Sequence, residues 1–322
     1  MKHFRVAIVL AAAMCAFGQD PQAQTYPVKP IRLVVPYAPG GPNDTIGRIF
    51  AQRLSEAIGQ QVIVDNRAGG GGNIGTDYVA RAAPDGYTLL SAGMGSTIIN
   101  PLIGKVSYDA ERDFTPIMLI ATAPNVLAVH PSTGVATVAE LIALAKQHPG
   151  KLNAASSGLG SSTHLSAALF EALAGIRITH IPYKGSAPSM TALLSGEVEL
   201  SFLGIPNVLP HWRSGKLLLL AVATKRRSTQ IPDVPTIAEA GLPDYEVNAW
   251  YGIAAPTGTP AAIVNRLHAE MMKFVGTPAY REALAAQGAE PVSSTPEEFA
   301  MVLRADKANW SRILKDLGIR AE

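Results

Sequence analysis

Apolar residues recur with two periods along this chain, and those periods sort most of it into strands and helices. Ile31-Arg32-Leu33-Val34-Val35 is a β-rich run. Pro36 ends it, because proline cannot donate to a sheet ladder. The next residues, 37–44, hold too much proline and glycine for regular structure. Ile46, Ile49, Phe50, Leu54, Ala57 and Ile58 then fall at helical spacing. Asn43 or Asp44 is the expected N-cap and Gly59 the stop. The order then returns: a strand over 61–65, a glycine-rich loop over 67–72, a helix over 74–83 and a strand over 87–92. The loop Gly93-Met94-Gly95-Ser96-Thr97 follows.

A second series starts at Thr137, which with Glu140 makes a capping box for a helix closing at His148-Pro149-Gly150. The spacing then predicts a strand over 152–156, a small-residue loop over 157–163 and a helix over 164–174. Strands over 177–183, 198–203 and 216–224 follow, with a helix over 187–195. From 260 to 318 the pattern is helical, broken at Pro278 and Pro296. Strands alternating with helices of this length predict an α/β fold, with parallel sheets flanked by helices. Residues 115–130 and 245–255 read as two extended crossings between the series. The expected division is lobe 1 over 25–122 plus 253–322 and lobe 2 over 123–252; one large continuous sheet is the alternative.

The N-terminus reads as an address. Lys2 and Arg5 precede twelve uncharged, largely apolar residues, 6–17, and then polar 19–22. That is the order of a secretory signal peptide, here 1–24, and too short to span a bilayer. Cleavage falls after Gly18 or near Ala23. Cys15 opens a lipoprotein alternative, although Met14 stands where a small residue is expected. Export to the periplasm follows, and removal of the leader takes away the only cysteine. Disulfides, thiolate catalysis and cysteine metal sites go with it.

Composition narrows the function further. The chain has 322 residues, enough for two domains at about 150 each. Only 16% are charged, against ~25% in typical domains. With 27 basic and 25 acidic residues the net charge is +2, without the basic stripe of a nucleic-acid binder. The 29 glycines and 24 prolines are spread as punctuation, so the chain is loop-rich and globular rather than disordered.

Most catalytic patterns are missing. The sequence contains no His-Glu-x-x-His, no Gly-x-Ser-x-Gly and no Walker A loop. No two histidines beyond the leader lie within four residues, so no local metal pair exists. Gly70-Gly71-Gly72-Asn73-Ile74-Gly75 matches a dinucleotide fingerprint, but no acid near position 95 would hold a ribose. No cofactor and no metal are expected.

What remains is three Gly/Ser loops at the carboxyl ends of strands: 37–44, 93–97 and 156–163. Each leads into a predicted helix, whose free N–H groups and positive dipole end favour a carboxylate. One such end contributes about 0.3–2 kcal/mol, whereas micromolar affinity needs about 8 kcal/mol, so several must converge. Lys184 offers either a cation or a solvated loop. Trp250 and Tyr251 line a cleft or belong to the core. Lys225-Arg226-Arg227 is a solvated surface or a docking patch. An enzymatic alternative would join Asp44, His164 and Lys184 as acid, base and electrostatic partner.

Several motifs resemble one family throughout. They are Tyr26-Pro27-x-Lys29-Pro30-Ile31-Arg32, Pro36-Tyr37-Ala38-Pro39-Gly40-Gly41-x-x-Asp44, Asn66-Arg67-Ala68-Gly69 and Pro84-Asp85-Gly86-Tyr87. Ser157-Gly158-x-Gly160-Ser161 with His164-Leu165, Pro182-Tyr183-Lys184-Gly185, Pro232-Asp233-Val234-Pro235-Thr236 and Ala255-Pro256-x-Gly258-Thr259-Pro260 continue the series. In this order they resemble the substrate-binding proteins of tripartite tricarboxylate transporters, also called Bug proteins. The resemblance implies a two-lobed, type II periplasmic-binding-protein fold closing on a small carboxylate: a di- or tricarboxylate or an aromatic acid. The implied ligand contacts are Tyr37, Ala38, Gly40, Gly41 and Asp44 in the first-lobe loop, through backbone groups and bound water, with Met94 and Ser96 beside them. Ser157, Ser161, Thr163, His164, Tyr183 and Gly204 are the contacts in the second lobe. Implied partners are a large and a small membrane transporter subunit, and the protein itself is expected to be a monomer. A ligand-sensing role in signalling is the alternative. One departure stands out: many relatives carry an acid where this chain has Leu203, which argues against a ligand with an ammonium group.

Overall fold

The computed structural model describes residues 26–158 and 161–316. The predicted leader and both cleavage sites lie outside them. Two mixed sheets organise the chain. The six-stranded sheet has the order β11-β4-β10-β3-β1-β2 and the five-stranded sheet the order β7-β6-β8-β5-β9. The strands of the first are β1 Ile31–Val35, β2 Val62–Asn66, β3 Thr88–Gly93, β4 Phe114–Thr122, β10 Trp250–Pro256 and β11 Glu290–Pro291. Those of the second are β5 Asn125–Val129, β6 Asn153–Ser156, β7 Thr179–Pro182, β8 Leu200–Gly204 and β9 Leu218–Val222.

Neither sheet is wholly parallel, contrary to the reading from strand–helix alternation. β1 runs parallel to β2 and β3, and β6 to β7 and β8. β10 is antiparallel to β3 and β4, and β5 to β8 and β9. The antiparallel strands β4, β5 and β10 flank the points where the chain passes between sheets. β4 and β5 are separated by Ala123 and Pro124. The return segment meets them there: the Ala123 N–H donates to the Ala249 carbonyl at 2.8 Å and the Val247 N–H to Ala223 at 2.9 Å. Two chain segments therefore run side by side at the junction. Trp250, Tyr251 and Gly252 already belong to β10, ahead of the 252/253 boundary read from sequence.

The helices are α1 Pro42–Ile58, α2 Asn73–Ala80, α3 Asn100–Ile103, α4 Val138–Gln147 and α5 Ser162–Ala174. They continue with α6 Ser186–Ser195, α7 Ile205–Arg213, α8 Ala261–Val275, α9 Pro278–Ala285 and α10 Pro296–Asp316. Sequence patterning had no counterpart for α7, because Pro206 and Pro210 hide it, nor for β11 inside the helical tail. α1, α8 and α9 cover one face of the first sheet, packing Phe50, Leu267, Phe274 and Leu284 on Ile31, Leu33, Leu89 and Ile117. α6 and α7 cover one face of the second. A third cluster joins Val34 and Leu90 of the first sheet to Leu127 and Phe202 of the second, with Phe299 and Trp310 of α10. Burial at about 25 cal/mol per Å² of apolar surface holds these layers. The strand ends that carry the Gly/Ser loops stay at their rim.

Candidate functional site

The first loop connects β1 to α1. Gly40 takes φ +89, a left-handed conformation that favours glycine. α1 begins at Pro42 with Gly41 as N-cap, so neither Asn43 nor Asp44 caps it. Pro42 suits a first-turn position because its missing N–H would have no intrahelical partner there. The amides of Asn43 and Asp44 are first-turn donors that the helix itself cannot satisfy.

Asp44 does something other than expected. Its Oδ2 accepts from the Gly40 N–H at 2.9 Å and from Arg48 Nε at 3.0 Å. Its Oδ1 accepts from Asn66 Nδ2 at 2.8 Å and lies 2.9 Å from Arg48 Nη2. The side chain is 3% exposed. Burial alone would raise its pKa, but the bonds from Arg48, Gly40 and Asn66 outweigh that and hold the carboxyl below its usual range. Asn66 also donates to the Tyr37 carbonyl at 3.1 Å. Asp44 is thus a clamp on the loop backbone, and its lone pairs are already committed.

Around this clamp Ala38, Pro39 and Gly40 are exposed, while Tyr37 and Gly41 are half-buried. The Tyr37 phenol is pushed up by burial. A Cβ on Gly72 would come within 3.0 Å of both the Tyr37 ring and Ser96, so only glycine lets the 69–72 turn seat there. Ser96 is fully buried, and Met94 packs into the apolar core. The Met94 side chain is therefore committed to the core. Tyr251 lies buried close to Tyr37, whose charge adds to the burial that raises its pKa. Trp250 is buried too, with Nε1 donating to Asp306 Oδ2 at 2.6 Å. Both aromatic residues thus belong to the core.

The sequence reading missed Asn43. Its amide is buried and finds no protein partner, as is true of the Ser91 and Ser96 hydroxyls. A Cβ on Gly93 would stand 3.0 Å from Asn43 Nδ2, which places that amide over the carboxyl end of β3. Burying such groups unpaired costs about 1–3 kcal/mol each, so they mark this strand end as a polar site. The signal was present as Asn43 beside Asp44, but it read only as a helix cap.

The second loop joins β6 to α5. Thr163 is its hub: its Oγ1 accepts from the Ser157 N–H at 2.9 Å and lies 2.9 Å from both Ser157 Oγ and Ser161 Oγ. Ser161 caps α5, accepting from the His164 N–H at 3.3 Å and donating to the Gly158 carbonyl at 2.6 Å. The ring of His164 stacks on His180 with centroids 4.2 Å apart. Burial, then the neighbouring His180, pushes His164 down to about 4. His180, not among the sequence candidates, meets Ser156 of the 156–163 loop at 2.6 Å.

Two expected contacts are used differently. The Tyr183 hydroxyl donates to Glu197 at 2.6 Å, so that phenol serves the lobe's own structure. Gly204 is the N-cap of α7 and is half-buried. Leu203 is fully buried among Val126, Ala155 and Val208. Its side chain faces the core, so the lack of an acid at 203 is not what decides ammonium recognition here. Lys184 is exposed. In the basic run Lys225 donates to the Pro243 carbonyl at 2.6 Å and Arg227 pairs with Glu239 at 2.8 Å, a local structural use. Among the described residues no cluster of three or more His, Cys, Asp or Glu could hold a metal, and no helix is long and apolar enough to cross a membrane.

Comparison with known proteins fits this geometry. The profile of the tripartite tricarboxylate transporter family receptor matches residues 46–319. A Pseudomonas sp. protein from the tcbD–tcbE intergenic region is 39% identical over 319 residues, covering 98% of this chain and 95% of its own. Protein BugT of Bordetella pertussis is 36% identical over 322 residues, covering 99% of each. A Rhodopseudomonas palustris protein solved with adipate superposes at a TM-score of 0.86 with 40% identity, over 92% of this chain and 99% of its own. MatC from the same organism, with bound malate, gives 0.82 and 32% over 90% and 100%.

Proposed function

We propose, from a chain that belongs to the tripartite tricarboxylate transporter receptor family, that its ligand is a small dicarboxylate held between the two Gly/Ser loops. Family members include periplasmic binding proteins, and the chain is a solute-binding receptor of that kind. The observation that carries the ligand class is its likeness, over nine-tenths of its length, to proteins holding adipate and malate. The site chemistry agrees with it. α1 and α5 both begin at these loops, and both loops are lined by glycine or hydroxyl groups rather than free charges. An anion is stabilised by each such end.

In this reading the Gly40 and Gly41 backbone, the Asn43 amide and Ser96 receive one carboxylate, and Ser157, Ser161, Thr163 and His164 the other. Residues 25–122 with the C-terminal helices form one lobe, and the residues around the five-stranded sheet the other. They close about the paired segments at Ala123 and Ala249. Delivery is to a large and a small membrane subunit, by a monomer exported through its leader. Calorimetry with adipate, malate and succinate tests the class, together with mass spectrometry of ligand released from protein purified without refolding. Absence of binding by all three, with a non-acidic compound released, would overturn it.

A further inference from the structure

Of the histidine pair behind the second loop, only His164 has a part in the function so far described; His180 has none. His180 lies on β7 and His164 in the first turn of α5, and their rings stack at 26°. His180 Nε2 is 2.6 Å from Ser156 Oγ. The same oxygen accepts from the Gly158 N–H at 3.2 Å and lies 3.3 Å from the Gly158 carbonyl. Gly158 in turn sits at φ +129 and receives the Ser161 hydroxyl. A short chain of hydrogen bonds therefore runs from the His180 ring through Ser156 to the turn that seats the Ser157–Ser161–Thr163 hydroxyls.

A serine hydroxyl has one proton. With His180 neutral and its ring proton on Nδ1, the 2.6 Å contact to Nε2 takes that proton in preference to the 3.3 Å contact to the Gly158 carbonyl. Once Nε2 carries a proton it must donate, and the Ser156 proton has only the Gly158 carbonyl left. The polarity of the whole chain reverses. Two imidazolium rings stacked at this distance would repel, so the pair accepts one proton at most near neutrality. A carboxylate at the start of α5 would compensate that proton.

Other charges do not set this equilibrium. The titratable groups on the surrounding elements are Glu171 on α5, Arg177 and Tyr183 flanking β7, the exposed Lys184, and Glu197 and Glu199 ahead of β8. β6, α6 and β8 themselves carry none. Glu171 accepts from the Ile178 N–H, Glu197 from Tyr183 and Glu199 from the Asn153 N–H. Burial lowers His180, and burial with His180 lowers His164.

We propose that His180 is a positioning residue for the second loop, acting through Ser156, and that one proton on the His164–His180 pair couples that loop's geometry to pH and to anion binding. The coupling to anions rests on the dicarboxylate reading; the coupling to pH does not. The first test needs no ligand: NMR titration of the protein between pH 8 and 4.5. The amide signals of Ser157, Gly158, Ser161 and Thr163 are expected to shift with the same midpoint as the His180 ring. In His180→Gln, whose amide keeps a polar partner for Ser156 without titrating, that step should vanish. Loop signals that stay flat, that move at another midpoint, or that keep the step in His180→Gln would overturn the proposal. The wild-type coincidence can be read even if the variant does not fold. With adipate, affinity should rise at least threefold from pH 8 to pH 6, and the ratio should fall to about one in His180→Gln. Equal wild-type affinity at both pH values would overturn the anion coupling. Failure of adipate to bind at either pH would count against the dicarboxylate reading and leave the ligand-free titration to decide the role of His180.

Discussion

The two loops that close the candidate site are built on opposite electrostatic plans. The 37–44 loop is held by a buried, ionised carboxylate, Asp44, with Gly40, Arg48 and Asn66 converging on it. The second loop contains no ionised side chain at all. It is held by three hydroxyls around Thr163 and by two neutral, stacked imidazoles. Both plans leave helix-start amides for an anion. They differ in what disturbs them: the first loop tolerates acid until a carboxylate protonates, while the second responds to a proton on its histidines.

The largest expected effect tests whether either plan can accept a cation. Asp44 is saturated with donors and the second loop has no acid, so an ammonium would be buried uncompensated, at a cost of several kcal/mol. Succinate should therefore bind at least about a hundredfold more tightly than aspartate, and glutarate than glutamate, roughly 3 kcal/mol. Calorimetry on these matched pairs decides it. Tighter binding of the amino acids would mean that Asp44 releases Arg48 to meet the ligand.

Acid should separate the loops next. His164 has a folded pKa of about 4 against an ordinary 6.5, so the unfolded chain binds more protons between those values. Stability is then fully present above pH 6.5 and falls as pH drops through that window, by up to about 3 kcal/mol. Asp44 has the same sign but a lower window: its folded pKa lies below its ordinary 3.8, so its contribution persists above 3.8 and is lost only at lower pH. Urea melts from pH 7 to 4 should show the first loss, and His164→Gln should remove most of it. An unchanged slope in that variant would exclude His164 as the source.

Removing each hub sharpens the contrast. Asp44→Ala strands the Gly40 and Asn66 donors and should lower unfolding free energy by about 2–3 kcal/mol, whereas Thr163→Val strands the Ser157 N–H and should cost about 1 kcal/mol. Equal costs in urea denaturation would show that the charged clamp adds nothing over the neutral one. The last test is at Gly41 and reads affinity rather than stability. Its φ of −84 suits any residue, and an added Cβ would meet only the Ala38 carbonyl, at 4.0 Å. Gly41→Val should thus fold normally yet obstruct the loop amides, weakening adipate by about tenfold, or 1.4 kcal/mol. Full affinity in a folded variant would move the carboxylate elsewhere.

Most of the order of strands and helices (α7 and β11 excepted), the capping box at Thr137, the glycine stop at Gly59 and the three Gly/Ser loops were legible in the sequence. Each depends on a few neighbouring residues: period, cap chemistry and backbone freedom act within one turn or one strand. What lay beyond it has a long-range cause. Asp44 meets Asn66 across 22 residues and Ser156 meets His180 across 24, contacts that exist only once parallel strands lie side by side. Leu203 faces the core because helices cover that side of β8, and β4, β5 and β10 run antiparallel because the chain passes between sheets beside its own return segment. Local chemistry therefore determined which residues form loops able to hold an anion. Only the tertiary structure decided which carboxylate is already spent, which histidines touch, and which side chains are left to meet a ligand, because burial and partner choice are properties of packed surfaces rather than of the chain.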